Sequence, residues 1–142
     1  MRKHIIFFLL LFPLTIFGQS STDELKSIIQ TDDVEAMVKF LENEKSINDC
    51  YEAGGSSYSI LVLSIKYDKG GIFTKCLEMG ADLDKICEDK TPLMYAIKYD
   101  RRDYFHALIK AGADTKVKSV KGKSLTDYAF KYGQDYFKRQ LK

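Results

Sequence analysis

Lys90-Thr91-Pro92-Leu93-Met94-Tyr95-Ala96-Ile97 is the stretch that decides the fold of this 142-residue chain. A Thr-Pro-Leu turn opens a short helix, and a second helix closes about 20 residues later on Ala111-Gly112-Ala113-Asp114. The same unit is written more than once. Gly80-Ala81-Asp82 precedes Gly112-Ala113-Asp114 by 32 residues, and Lys66-Tyr67-Asp68, Lys98-Tyr99-Asp100 and Lys131-Tyr132-Gly133 recur at spacings of 32 and 33. Two independent marks share one period, so the chain is built of repeats and its function is that of a surface.

Sliding the sequence by 32 pairs Leu61 with Leu93, Ile65 with Ile97, Cys76 with Leu108 and Leu77 with Ile109. Apolar falls on apolar through both helices, which predicts Phe105, Leu108 and Ile109 inside and Cys76 as a small buried hydrophobe. Gly80 and Gly112 end helices where a left-handed residue is wanted. Asp68 and Asp100 stand in the turns between helices, and aspartate tolerates that conformation better than most residues. Upstream, Ser21 to Glu24 reads as a capping box ahead of Leu25, Ile28 and Ile29, and a second helix runs from about Asp33 through Met37, Phe40 and Leu41. Gly54 to Ser59 reads as a flexible loop, and Gly70-Gly71 as a link between helices at 60–67 and 72–79. Lys121-Gly122-Lys123-Ser124 opens a last unit that stops within its second helix, around Phe137 and Leu141.

These residues resemble the ankyrin repeat. The resemblance runs from about Asp23 to the C-terminus and implies an all-α solenoid of about four helix-turn-helix repeats with short β-hairpin fingers, at 22–50, 51–86, 87–119 and 120–142. The third repeat carries it most specifically; the first keeps Glu44-Lys45-Ser46-Ile47-Asn48 where Gly-Ala-Asp-Val-Asn would stand. Met94 replaces the usual histidine of Thr-Pro-Leu-His, which implies loss of a hydrogen bond between turns, and Ile60 replaces a proline. A tetratricopeptide array would want a tryptophan, which the chain lacks, and would not explain Gly-Ala-Asp.

Residues 1–18 stand apart. Arg2, Lys3 and His4 precede an almost wholly apolar run from Ile5 to Phe17, too short for a membrane-spanning helix of about 20 residues. With small residues at Gly18, Ser20 and Ser21, this reads as a secretory signal peptide cut after Gly18 or Ser20. Residues 19–142 are then one exported domain, periplasmic or secreted, with no stable membrane anchoring after cleavage. Removing Arg2 and Lys3 takes 22 basic residues to 20 against 20 acidic ones. A neutral chain argues against nucleic acid as a partner.

Chemistry finds little support in the residues. His106 is the one histidine beyond His4, and register sets it on the solvent side of a helix, so nucleophile–base pairs and a four-ligand metal site both lack members. No cofactor, metal or catalytic residue is expected. The resemblance implies a monomeric module that binds a protein partner through its concave face and fingers, as an immunity or enzyme-accessory protein; a Cys-dependent exported hydrolase or redox enzyme is the alternative. It sets Lys66/Tyr67, Lys98/Tyr99 and Lys131/Tyr132 at the ends of first helices, and Tyr58, Glu88 and Lys90 on fingers, as the contact residues. It also sets Cys50 and Cys87 on adjacent fingers, where a bridge between repeats is one reading. Two thiols held apart by the finger spacing are the other.

Overall fold

The computed structural model describes residues 21–43 and 45–142; the expected signal peptide lies outside them. Eight helices and one hairpin follow in the order α1 (Ser21–Thr31), α2 (Val34–Glu42), β1 (Tyr51–Ala53), β2 (Ser56–Tyr58), α3 (Ile60–Tyr67), α4 (Gly70–Glu78), α5 (Pro92–Lys98), α6 (Arg102–Ala111), α7 (Leu125–Lys131) and α8 (Asp135–Gln140). They form four antiparallel pairs. The first helices α1, α3, α5 and α7 pack side by side as an inner row. The second helices form an outer row whose later members meet through stacked Phe73 and Tyr104, 4.4 Å between centroids, and tilted Phe105 and Phe137 at 4.9 Å.

The first helices α3, α5 and α7 each start on a hydroxyl. Ser59, Thr91 and Ser124 accept from the backbone N–H three residues on, and Pro92 fills a position that has no helical donor to lose. Met94 does not leave the turn short of a bond: its Sδ accepts from the Thr91 N–H at 3.5 Å while its own N–H donates to Thr91 Oγ1 at 3.4 Å. The turns inside the pairs place Asp32, Asp68, Asp100 and Gly133 at φ of 54°, 58°, 51° and 65°. That conformation is cheap for glycine and tolerable for aspartate.

Three expectations need correction. Gly54-Gly55 is no flexible loop: both glycines have positive φ and join β1 to β2 in an antiparallel hairpin with Tyr51 opposite Tyr58, the two-residue turn that matches strand twist. It is the one finger among the described residues with paired strands; the turn at Ser119–Lys123 is closed by the Ser119 N–H donating to the Lys123 carbonyl at 2.9 Å. Ile109 is 38 % exposed beside a fully buried Leu108, because one step along a helix turns the side chain by about 100°. The 32-residue slide matched hydrophobicity but not facing.

Gly70-Gly71 is not a link but the start of α4. The Asp32 carboxylate, in the turn of the preceding pair, accepts from the N–H groups of Gly71 and Ile72, each at 2.9 Å, and so caps a helix 39 residues away. A Cβ at position 71 would lie 2.9 Å from Asp32 Oδ2. Gly71→Ala should therefore destabilise the fold by about 1–2 kcal/mol, since a bond to a charged acceptor outweighs the better helix propensity of alanine. In an Asp32→Gly background the same change should stabilise it by about 0.5–1 kcal/mol. Urea unfolding of the four proteins checks this reversal; the same sign in both backgrounds would refute the cap.

Candidate functional site

Packing buries Ile60 through Ile65 of α3 and Pro92 through Ile97 of α5. The C-terminal ends of α3, α5 and α7 are less closely packed, and Lys66/Tyr67, Lys98/Tyr99 and Lys131/Tyr132 stand there, exposed or half-buried. Lys66 Nζ lies 4.3 Å from the Tyr58 ring centroid and 5.2 Å from that of Tyr67. Lys98 Nζ lies 5.2 Å from Tyr99 and 6.0 Å from Tyr95, and Lys131 Nζ 5.6 Å from Tyr132 and 5.9 Å from Tyr128. Each ammonium is thus within cation–π range of two rings. The rings pack among themselves as well: Tyr95 on Tyr99 and Tyr128 on Tyr132 are near parallel, and Tyr58 meets Tyr95 edge on at 5.6 Å. The result is one lysine–tyrosine step per repeat along α3, α5 and α7.

Tyr67 is the open end of this ladder, 48 % exposed. It also lines a groove of about 630 Å³ between α1, β1 and α3, with Leu25, Ile29, Ala53 and Leu63. Tyr99 and Tyr132 are half-buried. Tyr58 departs from the finger contact expected of it: its ring is buried under Lys66 and against Tyr95, and its hydroxyl takes the Lys66 ammonium at 3.2 Å. Burial opposes the charge on Lys66, but this bond prevails and leaves its pKa above the ordinary value. Glu88 is exposed on the next finger. Lys90 is half-buried between Tyr95 and Tyr128 and paired with Asp89 at 3.1 Å.

Asp89 carries no periodic mark that would single it out. Buried, it accepts from the Tyr128 hydroxyl at 2.8 Å, from Lys90, and from the Lys121 N–H at 3.2 Å, while its carbonyl takes the Val120 N–H. It ties the third finger to the fourth and fixes Tyr128. Its register partners, Ser57 and Lys121, share none of this chemistry. Tyr95 and Tyr128 did carry a signal: they lie 33 residues apart, each four before a ladder tyrosine, hence on the same helix face.

Residues 88–117, the third helix pair with its finger, match the ankyrin repeat family model. This segment is an ankyrin repeat. No curated protein matches the chain. Ankyrin repeats are in general protein-interaction modules and typically not enzymes. On the fingers, Cys50 and Cys87 are joined by a disulfide with Cα atoms 5.6 Å apart, so the fingers approach closely enough for the bond. Cys76 is buried and its thiol is pushed up to about 12 by that burial. His106 is exposed, its ring nitrogen bonded to the Tyr136 hydroxyl.

Burial would raise the Asp89 carboxyl, but the Tyr128 and Lys90 bonds outweigh it and hold the group below the usual carboxylate range. A depressed folded-state pKa gives stability that is present above about pH 4 and lost as pH falls through the lower folded value. Tyr128→Phe should therefore cost about 1.5–3 kcal/mol at pH 7, the worth of a bond to a charged group, and clearly less at pH 3. Chemical unfolding at both pH values checks it; a cost independent of pH would show that Tyr128 acts through packing alone.

Proposed function

We propose that this chain is an exported, non-catalytic ankyrin-repeat module that holds a protein partner on its inner face, centred on Tyr99. One observation carries the reading: three lysine–tyrosine pairs, a repeat apart, stand exposed or half-buried at the C-terminal ends of α3, α5 and α7, each ammonium within reach of two rings. Tyrosine brings large contact area at low entropy cost. Export is supported by the basic start and short apolar run of residues 1–18, and by the Cys50–Cys87 bridge, since such bonds persist in oxidising compartments. The Cys-dependent enzyme loses ground, because Cys87 is bridged and Cys76 is a buried, protonated thiol. Within the binding class, blocking an exported toxin and accompanying an exported enzyme remain the two roles, and the partner's identity separates them.

The experiment is capture from host extract with tagged protein purified from the exported fraction. Mass spectrometry of that protein should show a chain beginning at Gln19 or Ser21. Tyr99→Ala should fold by circular dichroism and bind the captured partner about 30-fold or more weakly, as loss of a central aromatic anchor does. An intact Met1 in the cytosol would overturn export. A folded Tyr99→Ala that binds as tightly as the wild type would move the site to the fingers around Glu88 and Lys90.

A further inference from the structure

The ladder says something about the partner's chemistry. Among the described residues, Lys66, Lys98 and Lys131 have no carboxylate within ion-pair distance. The acidic residues of the adjoining turns are already engaged: Asp68 with Arg101 at 3.4 Å, Asp100 with Arg102 at 3.1 Å. Asp89 is held by Lys90, Tyr128 and Lys121. In the turns beside the ladder Arg101 and Arg102 take the carboxylates, while the three ladder lysines rest on tyrosine rings. A ring's quadrupole attracts an ammonium without neutralising it. Three uncompensated charges are therefore lined up in fixed places, at a side-chain entropy cost that a merely solvated lysine does not incur.

We infer that the inner face takes an acidic protein segment, with carboxylates spaced to meet one lysine per repeat. This rests on the reading of the ladder as the partner site and adds its chemistry. Adjacent packed helices lie about 8–10 Å apart, and in a polyproline II segment every third residue returns to the same side after about 9 Å. A polyproline II segment with a carboxylate at every third position therefore matches Lys66, Lys98 and Lys131 in turn. Nucleic acid fits less well. Its single strands want open aromatic faces for base stacking, whereas Tyr95 and Tyr99, and Tyr128 and Tyr132, cover each other and lie beneath lysines.

The test is a fluorescence-anisotropy titration at low salt. One probe is a labelled glycine-serine peptide with three glutamates at every third position; the second is the same peptide with lysines, and the third an oligothymidylate of equal charge. The glutamate peptide should bind the wild type, weaken with added salt, and bind roughly tenfold more weakly to the triple Lys66→Gln, Lys98→Gln, Lys131→Gln variant. The corresponding triple arginine variant, which keeps the charge, should retain binding. No binding of the glutamate peptide, equal binding to the glutamine variant, or tighter binding of the oligothymidylate would overturn the inference. Capture from host extract separates this failure from a wider one. If Tyr99→Ala releases the partner while the glutamine variant keeps it, the inner face is the site and its acidic ligand is refuted. If neither variant changes capture, both readings fall.

Discussion

None of these helices can stand alone. The longest is 11 residues and the central α5 only 7, below the roughly 12–15 at which an isolated helix becomes even marginally stable in water. Each pair must bury its apolar side against its neighbours, and everything else follows from that dependence. It buries six consecutive residues in each of α3 and α5, because each lies between two first helices and over its own second helix. It also leaves residues free to evolve a function only on the outer helix faces, the helix ends and the fingers. The lysine–tyrosine ladder sits where packing stops.

The polar contacts between repeats run in one direction. Asp32 accepts from α4, Asn48 from the Asp82 N–H, Asp84 from the Asp114 N–H and Asp89 from Lys121 and Tyr128. Arg101 donates back to the carbonyls of Ile65 and Lys66, and Lys69 to that of Gln30. In each case the acceptor belongs to the earlier repeat and the donor to the later one. These bonds satisfy groups that stacking would otherwise strand. They also fix the rotation of each pair on the one before, which apolar contact leaves loose. The positions that would continue the pattern are Lys116 and Gly133, neither of which offers an acceptor side chain.

The fold was legible because packing and turns impose the same residue types at a fixed period. Thr-Pro-Leu, Gly-Ala-Asp and the apolar register gave the α3–α7 framework nearly to the residue. The misses came where a residue answers to one partner in space instead of to the repeat. Gly71 is explained by Asp32, not by its own neighbours; Ile109 follows the facing of Leu108; Tyr58 looks like a finger tip until Tyr95 and Lys66 close over it. The ladder lysines and tyrosines were visible as a periodic mark. The inner tyrosines Tyr95 and Tyr128 needed the helix face as well as the period, and Asp89, present once, left no mark at all.

The central claim is that stacking between repeats, and not any single pair, holds the fold. Leu108 is fully buried in the second helix of the third pair. Equilibrium unfolding of Leu108→Ala by urea, followed by far-ultraviolet circular dichroism, tests the claim most directly. The account predicts a loss of about 2–5 kcal/mol, as for other large-to-small core changes, with helix signal lost across the whole array in one transition. An unfolding midpoint equal to that of the wild type would contradict it.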